Sequence, residues 1–376
     1  MNKDNPLLEL QTFGQSVWLD YLRRDLLTSG ELDSLIVEDG LRGITSNPAI
    51  FEKAINDSDL YTETIQELVA AGRSTAEIID ALTIEDIRQT AVHFRPLYDR
   101  LHGQDGFVSL EVSPHMARST DKTIAEARRL WTAVNQPNLM IKVPGTQEGL
   151  PAIRQLISEG INVNVTLLFG LPRYKEVAQA YLNGLRDRLE AGKPVDHVAS
   201  VASFFLSRID VLVDPMLAER AAGNSNTVTA KRLQGQVAIA SAKVAYHIYR
   251  EIFENGRFHH LAEGGAQPQR LLWASTSTKN PDYSDVKYVE ALIGPHTINT
   301  MPQETLEAFR DHGRVAPTLQ QNLGDAYRVL DQLAELHIDI DDVTAQLEEE
   351  GVDKFIKPYD RLVDALEQKR HEVTPG

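Results

Sequence analysis

The residues able to do chemistry in this sequence gather around one lysine. Lys142 lies in the run LMIKVP, where Leu139, Ile141 and Val143 alternate with Met140 and Lys142. In a β-strand that alternation sends the two sets to opposite faces, so the apolar triplet packs outward and Lys142 points inward. Three other runs behave alike. In FVSLEVS, Val108, Leu110 and Val112 oppose Ser109, Glu111 and Ser113; in INVNVT, Ile161, Val163 and Val165 oppose Asn162, Asn164 and Thr166; in SVWLD, Val17 and Leu19 oppose Ser16, Trp18 and Asp20. One interior then receives Asp20, Glu111, Lys142, Asn164 and Thr166.

A purely structural core would not choose that set, because a buried unpaired charge costs on the order of several kcal/mol. The structural alternatives are a lumen salt bridge between Lys142 and Glu111, a helix cap or turn at Asp20, and a turn at Asn47 before Pro48. The chemical reading uses all of these residues together. Desolvation disfavours an ammonium ion, and a free amine can attack a carbonyl to give an iminium. The iminium is an electron sink for breaking the neighbouring carbon–carbon bond. That step needs a carboxylate to move protons and polar neighbours to hold water and hydroxyls. Asp20, Glu111, Asn164 and Thr166 supply them, and no metal or organic cofactor is required.

An anionic substrate would need a cation as well. Ser203-Phe204-Phe205-Leu206-Ser207-Arg208 places Arg208 just past one apolar run, and Ala274-Ser275-Thr276-Ser277-Thr278-Lys279 follows another with hydroxyls and a lysine. In a barrel of strands and helices, phosphate groups are often held after the later strands at a helix N-terminus. The alternative for Arg208 is a surface pair with Asp210 or Asp214.

These residues must be positioned by something, and eight short β-rich runs recur between helical segments: 16–20, 41–47, 107–113, 139–144, 161–169, 197–205, 271–276 and 297–301. Alternating strands and helices imply parallel pairing with right-handed crossovers. There is no GxGxxG after the first run and no GxxxxGK[ST], so a nucleotide-binding open sheet lacks its phosphate loop. The expectation is a (β/α)8 TIM barrel with helical insertions, read as a single domain with its core over about 14–311 and C-terminal helices over about 317–370. Helices are expected at 62–71 and 84–101, near 215–222, and from 227 to 255 before a glycine-bearing turn at 263–267. Polar residues near the C-terminal ends of barrel strands are where such folds keep their sites.

Composition sets outer limits. The 376 residues contain no cysteine, which removes disulfides, thiolate catalysis and cysteine-held metals. A net charge of −16 argues against a nucleic-acid partner and requires that any anion site be locally positive. No stretch approaches the roughly 18 apolar residues of a membrane span, and the opening residues lack a signal-peptide core, so a cytoplasmic location is expected. His259 and His260 have no HExxH or carboxylate cluster beside them and read as surface histidines.

The segments GITSNPAIFEKAI, VSLEVSP, LMIKVPGT, GINVNVTLLF and SFFLSRID stand in the order shown by transaldolases, and the chain resembles that family from Asp20 through the last strand. The resemblance implies that Lys142 forms the Schiff base, that Asp20 is the acid/base for cleavage, and that Glu111 works through a water that Thr166 helps to hold. It implies that Asn47 and Asn164 bind substrate hydroxyls, and that Ser203, Arg208 and Ser275 face the substrate and its phosphate. Where many members carry a second arginine this chain reads ASTSTKNP, and Lys279 is the candidate replacement. The implied activity moves a dihydroxyacetone unit from fructose 6-phosphate or sedoheptulose 7-phosphate to erythrose 4-phosphate or glyceraldehyde 3-phosphate, without cofactor, in a monomer or homodimer.

Two rivals remain. A fructose-6-phosphate aldolase would use the same lysine but release free dihydroxyacetone; the long chain and helical C-terminus favour transfer instead. A non-catalytic scaffold would use the acidic surface and the segment 341–354, whose Glu348-Glu349-Glu350 reads as a solvated helix face.

Overall fold

The computed structural model describes residues 5–223, 227–256 and 258–373. Eight strands, β1 (Gln15–Asp20), β2 (Leu41–Thr45), β3 (Phe107–Glu111), β4 (Leu139–Pro144), β5 (Val163–Leu168), β6 (Ser200–Phe205), β7 (Arg270–Ala274) and β8 (Thr297–Met301), form a closed barrel in chain order. Every pairing is parallel, and β8 returns to β1 with Gln15 opposite Thr297 and Leu19 opposite Met301. This is the expected (β/α)8 barrel, and each expected run overlaps one strand.

Several runs extend beyond their ladders, for a physical reason. Ser46 and Asn47 leave β2 to start the helix Pro48–Asn56, and the Asn47 side chain caps it by accepting from Ile50 N at 3.1 Å. Asn162 precedes β5, where its amide donates to the carbonyls of Pro137 and Leu139 while its oxygen accepts from Ala199 N. Extended, β-like residues thus continue past the ladder to tie neighbouring loops.

The helices correct the sequence reading in three places. The stretch expected at 84–101 is the end of a 26-residue helix, Thr75–Arg100, which opens with a capping box of Ser74 and Glu77 and continues through Pro96. The helix expected near 215 starts directly after β6 and spans Ser207–Ala222, with Pro215 inside it. The stretch 227–255 divides into Thr227–Leu233 and Val237–Phe253, separated by Gly235 at φ +67°. His259 and His260 are exposed on the short helix His259–Glu263, beside Glu263. No helix among the described residues is long and apolar enough to cross a membrane.

The floor of the barrel is sealed by Trp18. Its ring lies over Gly43, where an added Cβ would approach within 2.5 Å of the indole, and its Nε1 donates to Asp105 Oδ1 at 2.8 Å. Asp105 also accepts from Ser16 and pairs with Arg270 at 3.5 Å. This buried polar tie closes the face opposite the C-terminal strand ends, so the lumen is accessible from one end.

That end is covered in part by the last helix, Ile340–Val373, which packs on the helices Pro48–Asn56, Thr75–Arg100 and Ser207–Ala222 and on β5. A bulge in β5 leaves Leu167 at φ +59°. Gly351 faces it so closely that a Cβ there would lie 3.1 Å from Leu167 Cδ2. Of the glutamates expected on a solvated helix face, Glu349 and Glu350 are exposed and pair with Arg118 and with Lys354 at 2.8 Å, while Glu348 is largely covered and pairs with Arg173 at 3.0 Å. The Glu348 and Glu349 pairs reach across to elements around the barrel.

Candidate active site

Strand register brings the central pair together. Lys142 stands opposite Glu111 on one side and opposite Asn164 on the other. Its Nζ lies 3.3 Å from Glu111 Oε2 and donates to the Ser46 carbonyl at 3.0 Å, with both side chains at most 5% exposed. Glu111 accepts no hydrogen bond of normal geometry from the described residues, and neither does the buried Thr166 hydroxyl. Buried polar groups of this kind are ordinarily satisfied by ordered water or ligand. Burial pushes the Glu111 carboxyl up to about 7, with Lys142 drawing it down and Asp20 adding a smaller upward push. A carboxylate near neutrality beside an amine is suited to trading protons through a water.

Asp20 ends β1 next to Thr45, which donates to Oδ1 at 2.7 Å. Burial raises its pKa above the ordinary carboxylate range, while the charges of Lys142 and Arg208 and hydrogen bonds from Thr45 and Asn47 oppose the rise. Asn47 therefore serves both readings of its sequence: its oxygen caps a helix while its amide faces Asp20.

Below this layer Asn164 is held at both ends of its amide, donating to Ser109 Oγ at 3.0 Å and accepting from Ser203 Oγ at 2.7 Å. It is fully buried and is not among the residues lining the cavity, whereas Ser203 and Thr166 line it. Of the two expected amides, Asn47 reaches the cavity and Asn164 braces the strands under Lys142.

The cavity has a volume of about 240 Å³ and brings together Asp20, Asn47, Lys142, Thr166, Ser203, Arg208, Ser275 and Lys279. Arg208 occupies the first turn of the helix Ser207–Ala222. The hydroxyls of Ser207 and Ser275 meet at 2.8 Å, and Ser207 N donates to the Ser275 carbonyl, so the start of that helix is fixed to the end of β7. Ser275 takes a left-handed φ of +55° to do this. The surface pairing considered for Arg208 does not form. Asp210 instead accepts from Ala238 N and Tyr288 Oη, and Asp214 from Gly235 N and Tyr283 Oη. Arg208 has no hydrogen-bonded or ion-paired partner among the described residues and lies between the rings of Phe205, at 5.5 Å, and Phe355, at 5.9 Å. Desolvation lowers its pKa, with Asp20 and Glu350 opposing.

Sequence reasoning missed the wall contributed by the last helix. Phe355 packs 5.4 Å from Lys142 Nζ, and Lys354 lines the cavity beside it. Nothing local to that segment marks them as site residues. Thr45 was accessible to the alternation argument, since it and its β2 neighbour Ile44 take opposite faces. Four cations, Lys142, Arg208, Lys279 and Lys354, share the cavity lining with one carboxylate, Asp20, so the site is locally positive on an acidic protein. No group of residues fit to hold a metal occurs among the described residues.

The profile of the family described as transaldolase/fructose-6-phosphate aldolase matches residues 17–366. Proteins named transaldolase from Trichodesmium erythraeum and Thermobifida fusca are 49% and 46% identical to the chain, covering 99% of both chains and 97–98% of both chains respectively. A protein named transaldolase 2 from a Nostoc species is 46% identical over 99% of each.

Proposed function

The chain belongs to the transaldolase/fructose-6-phosphate aldolase family, and on that premise we propose that it transfers a dihydroxyacetone unit between phosphosugars through a Schiff base on Lys142. The observation that carries this reading is the Lys142 amine beside Glu111 in a cavity that also presents Asp20 and an unpaired Arg208.

The ketose phosphate enters with its phosphate toward Arg208 and its carbonyl over Lys142. Nζ attacks the carbonyl carbon, and the resulting carbinolamine loses water as Glu111 shuttles protons through a water held with Thr166. Asp20 then takes the proton from the hydroxyl beyond the bond that breaks. The bond electrons flow into the iminium, an aldose phosphate departs, and an enamine of dihydroxyacetone remains on Lys142. Attack of that enamine on a second aldose phosphate reverses each step, and hydrolysis frees the lysine. Phe355 and Phe205 wall the cavity against bulk water, which favours transfer over release of the bound unit. No step requires a metal or an organic cofactor.

The test is reductive trapping. Incubation with fructose 6-phosphate and borohydride should add a reduced dihydroxyacetone unit to the peptide holding Lys142, and erythrose 4-phosphate should accelerate consumption of the ketose. An adduct on another lysine overturns the assignment. Turnover to free dihydroxyacetone, unaffected by an acceptor, would favour the aldolase reading instead.

A further inference from the structure

Lys354 is the cavity cation supplied by the last helix. The last helix carries it to the wall next to Phe355, whose ring lies within 6 Å of both Lys142 Nζ and the Arg208 guanidinium. Its Nζ is held by Glu350 one turn earlier at 2.8 Å, and Glu350 is near enough to Arg208 for each to feel the other's charge. One carboxylate thus pairs with Lys354 and lies within electrostatic reach of Arg208. The side chains of Glu350 and Lys354 are 39% and 49% exposed, so neither is locked by packing.

We propose that Lys354 is a phosphate-contacting residue supplied by the last helix, and that Glu350 is an internal carboxylate which the phosphate displaces. The proposal rests on the phosphosugar reading above. A phosphate dianion between Arg208 and Lys354 offers three acceptor oxygens and more charge than the single carboxylate it replaces. Arg208 supplies the fixed fork and Lys354 a mobile point charge. Binding would then pull on the helix that carries Phe355 and tighten the wall over Lys142, so that the part of the substrate which does not react helps close the part that does.

The test uses the full chain with Lys354→Ala, Lys354→Arg and Glu350→Gln, inorganic phosphate as a titrated probe, and fructose 6-phosphate against fructose as substrates. Lys354→Ala should weaken phosphate binding and lower the preference for the phosphorylated sugar by roughly 5- to 50-fold, the range expected for one half-exposed charge-assisted contact. Lys354→Arg should restore most of it. Glu350→Gln should tighten phosphate binding by roughly 2- to 5-fold, because the competitor is gone. Wild-type phosphate affinity and preference in Lys354→Ala overturn the proposal. So does weaker phosphate binding in Glu350→Gln, which would make the pair a structural tie, and so do equal losses on both sugars. Borohydride trapping on the same samples separates the two readings: absence of any adduct in the wild type refutes the Schiff base while the phosphate titration still reports on Lys354.

Discussion

The Thr45 hydroxyl donates to Asp20 at 2.7 Å and lies 2.8 Å from the Thr300 hydroxyl. A hydroxyl has one proton to give, so Thr300 must donate to Thr45 as Thr45 donates to Asp20. Hydroxyls on β2 and β8 therefore form a short directed chain that ends on the carboxylate of β1 and stabilises its ionised form against burial.

Removing that chain should be visible as a pH shift. Thr45→Val deletes a hydrogen bond that favours the ionised carboxylate, and so should raise the Asp20 pKa further. As Asp20 must be ionised to take the hydroxyl proton, the acid limb of the kcat profile should move to higher pH. An unmoved limb would mean that Asp20 is not the titrating base. Asp20→Ala should still accept the borohydride-trapped adduct while turnover falls by roughly 10²–10⁴-fold.

Glu111 should control an earlier step. With its pKa pushed up to about 7, it is protonated below neutrality and a carboxylate above it. The single-turnover rate of adduct formation should therefore rise through pH 7, and Glu111→Gln should both slow it and abolish the inflection. The linkage has a definite sign: the folded pKa lies above the ordinary value of 4.5, so Glu111 costs stability increasingly as pH climbs from 4.5 to about 7, and fully above that.

Arg208 should matter for the phosphate more than for the sugar. Arg208→Ala should raise KM for fructose 6-phosphate by roughly 10- to 150-fold, corresponding to the loss of one charge-assisted contact, with a much smaller effect on fructose. Lys279→Ala should give a milder loss, since Lys279 is exposed and its Nζ already donates to Ser277. Equal losses on both sugars would assign Arg208 a structural role.

Activity should survive exhaustive dialysis against EDTA, because the iminium provides the electron sink. A loss that added metal restores would contradict the mechanism.

Much of the barrel was readable because alternation is a local property. Val108, Ile141 and Val163 are buried and outward, and Glu111 and Lys142 are inward as the parity argument requires. Helix starts were harder: Pro215, read as the start of a helix, sits inside Ser207–Ala222, whose tertiary packing outweighs the lost hydrogen bond. Asn164 shows a different limit. Its inward direction was correct, but its tie between Ser109 and Ser203 depends on register across neighbouring strands. Phe355 and Lys354 were invisible because their significance arises only from a contact made far along the chain, and Glu348 looked solvated because Arg173 lies on another element.

Gly351 has a consequence for the order in which the molecule becomes competent. The strand residues of the site can assemble once the barrel closes, but the Phe355 wall depends on the close seat of Gly351 on Leu167, a contact of very long sequence separation. Contacts of that kind carry a high loop-closure entropy and tend to form late in folding. On refolding from denaturant, far-ultraviolet dichroism should recover before turnover does, and a bulky side chain at Gly351 should widen that lag.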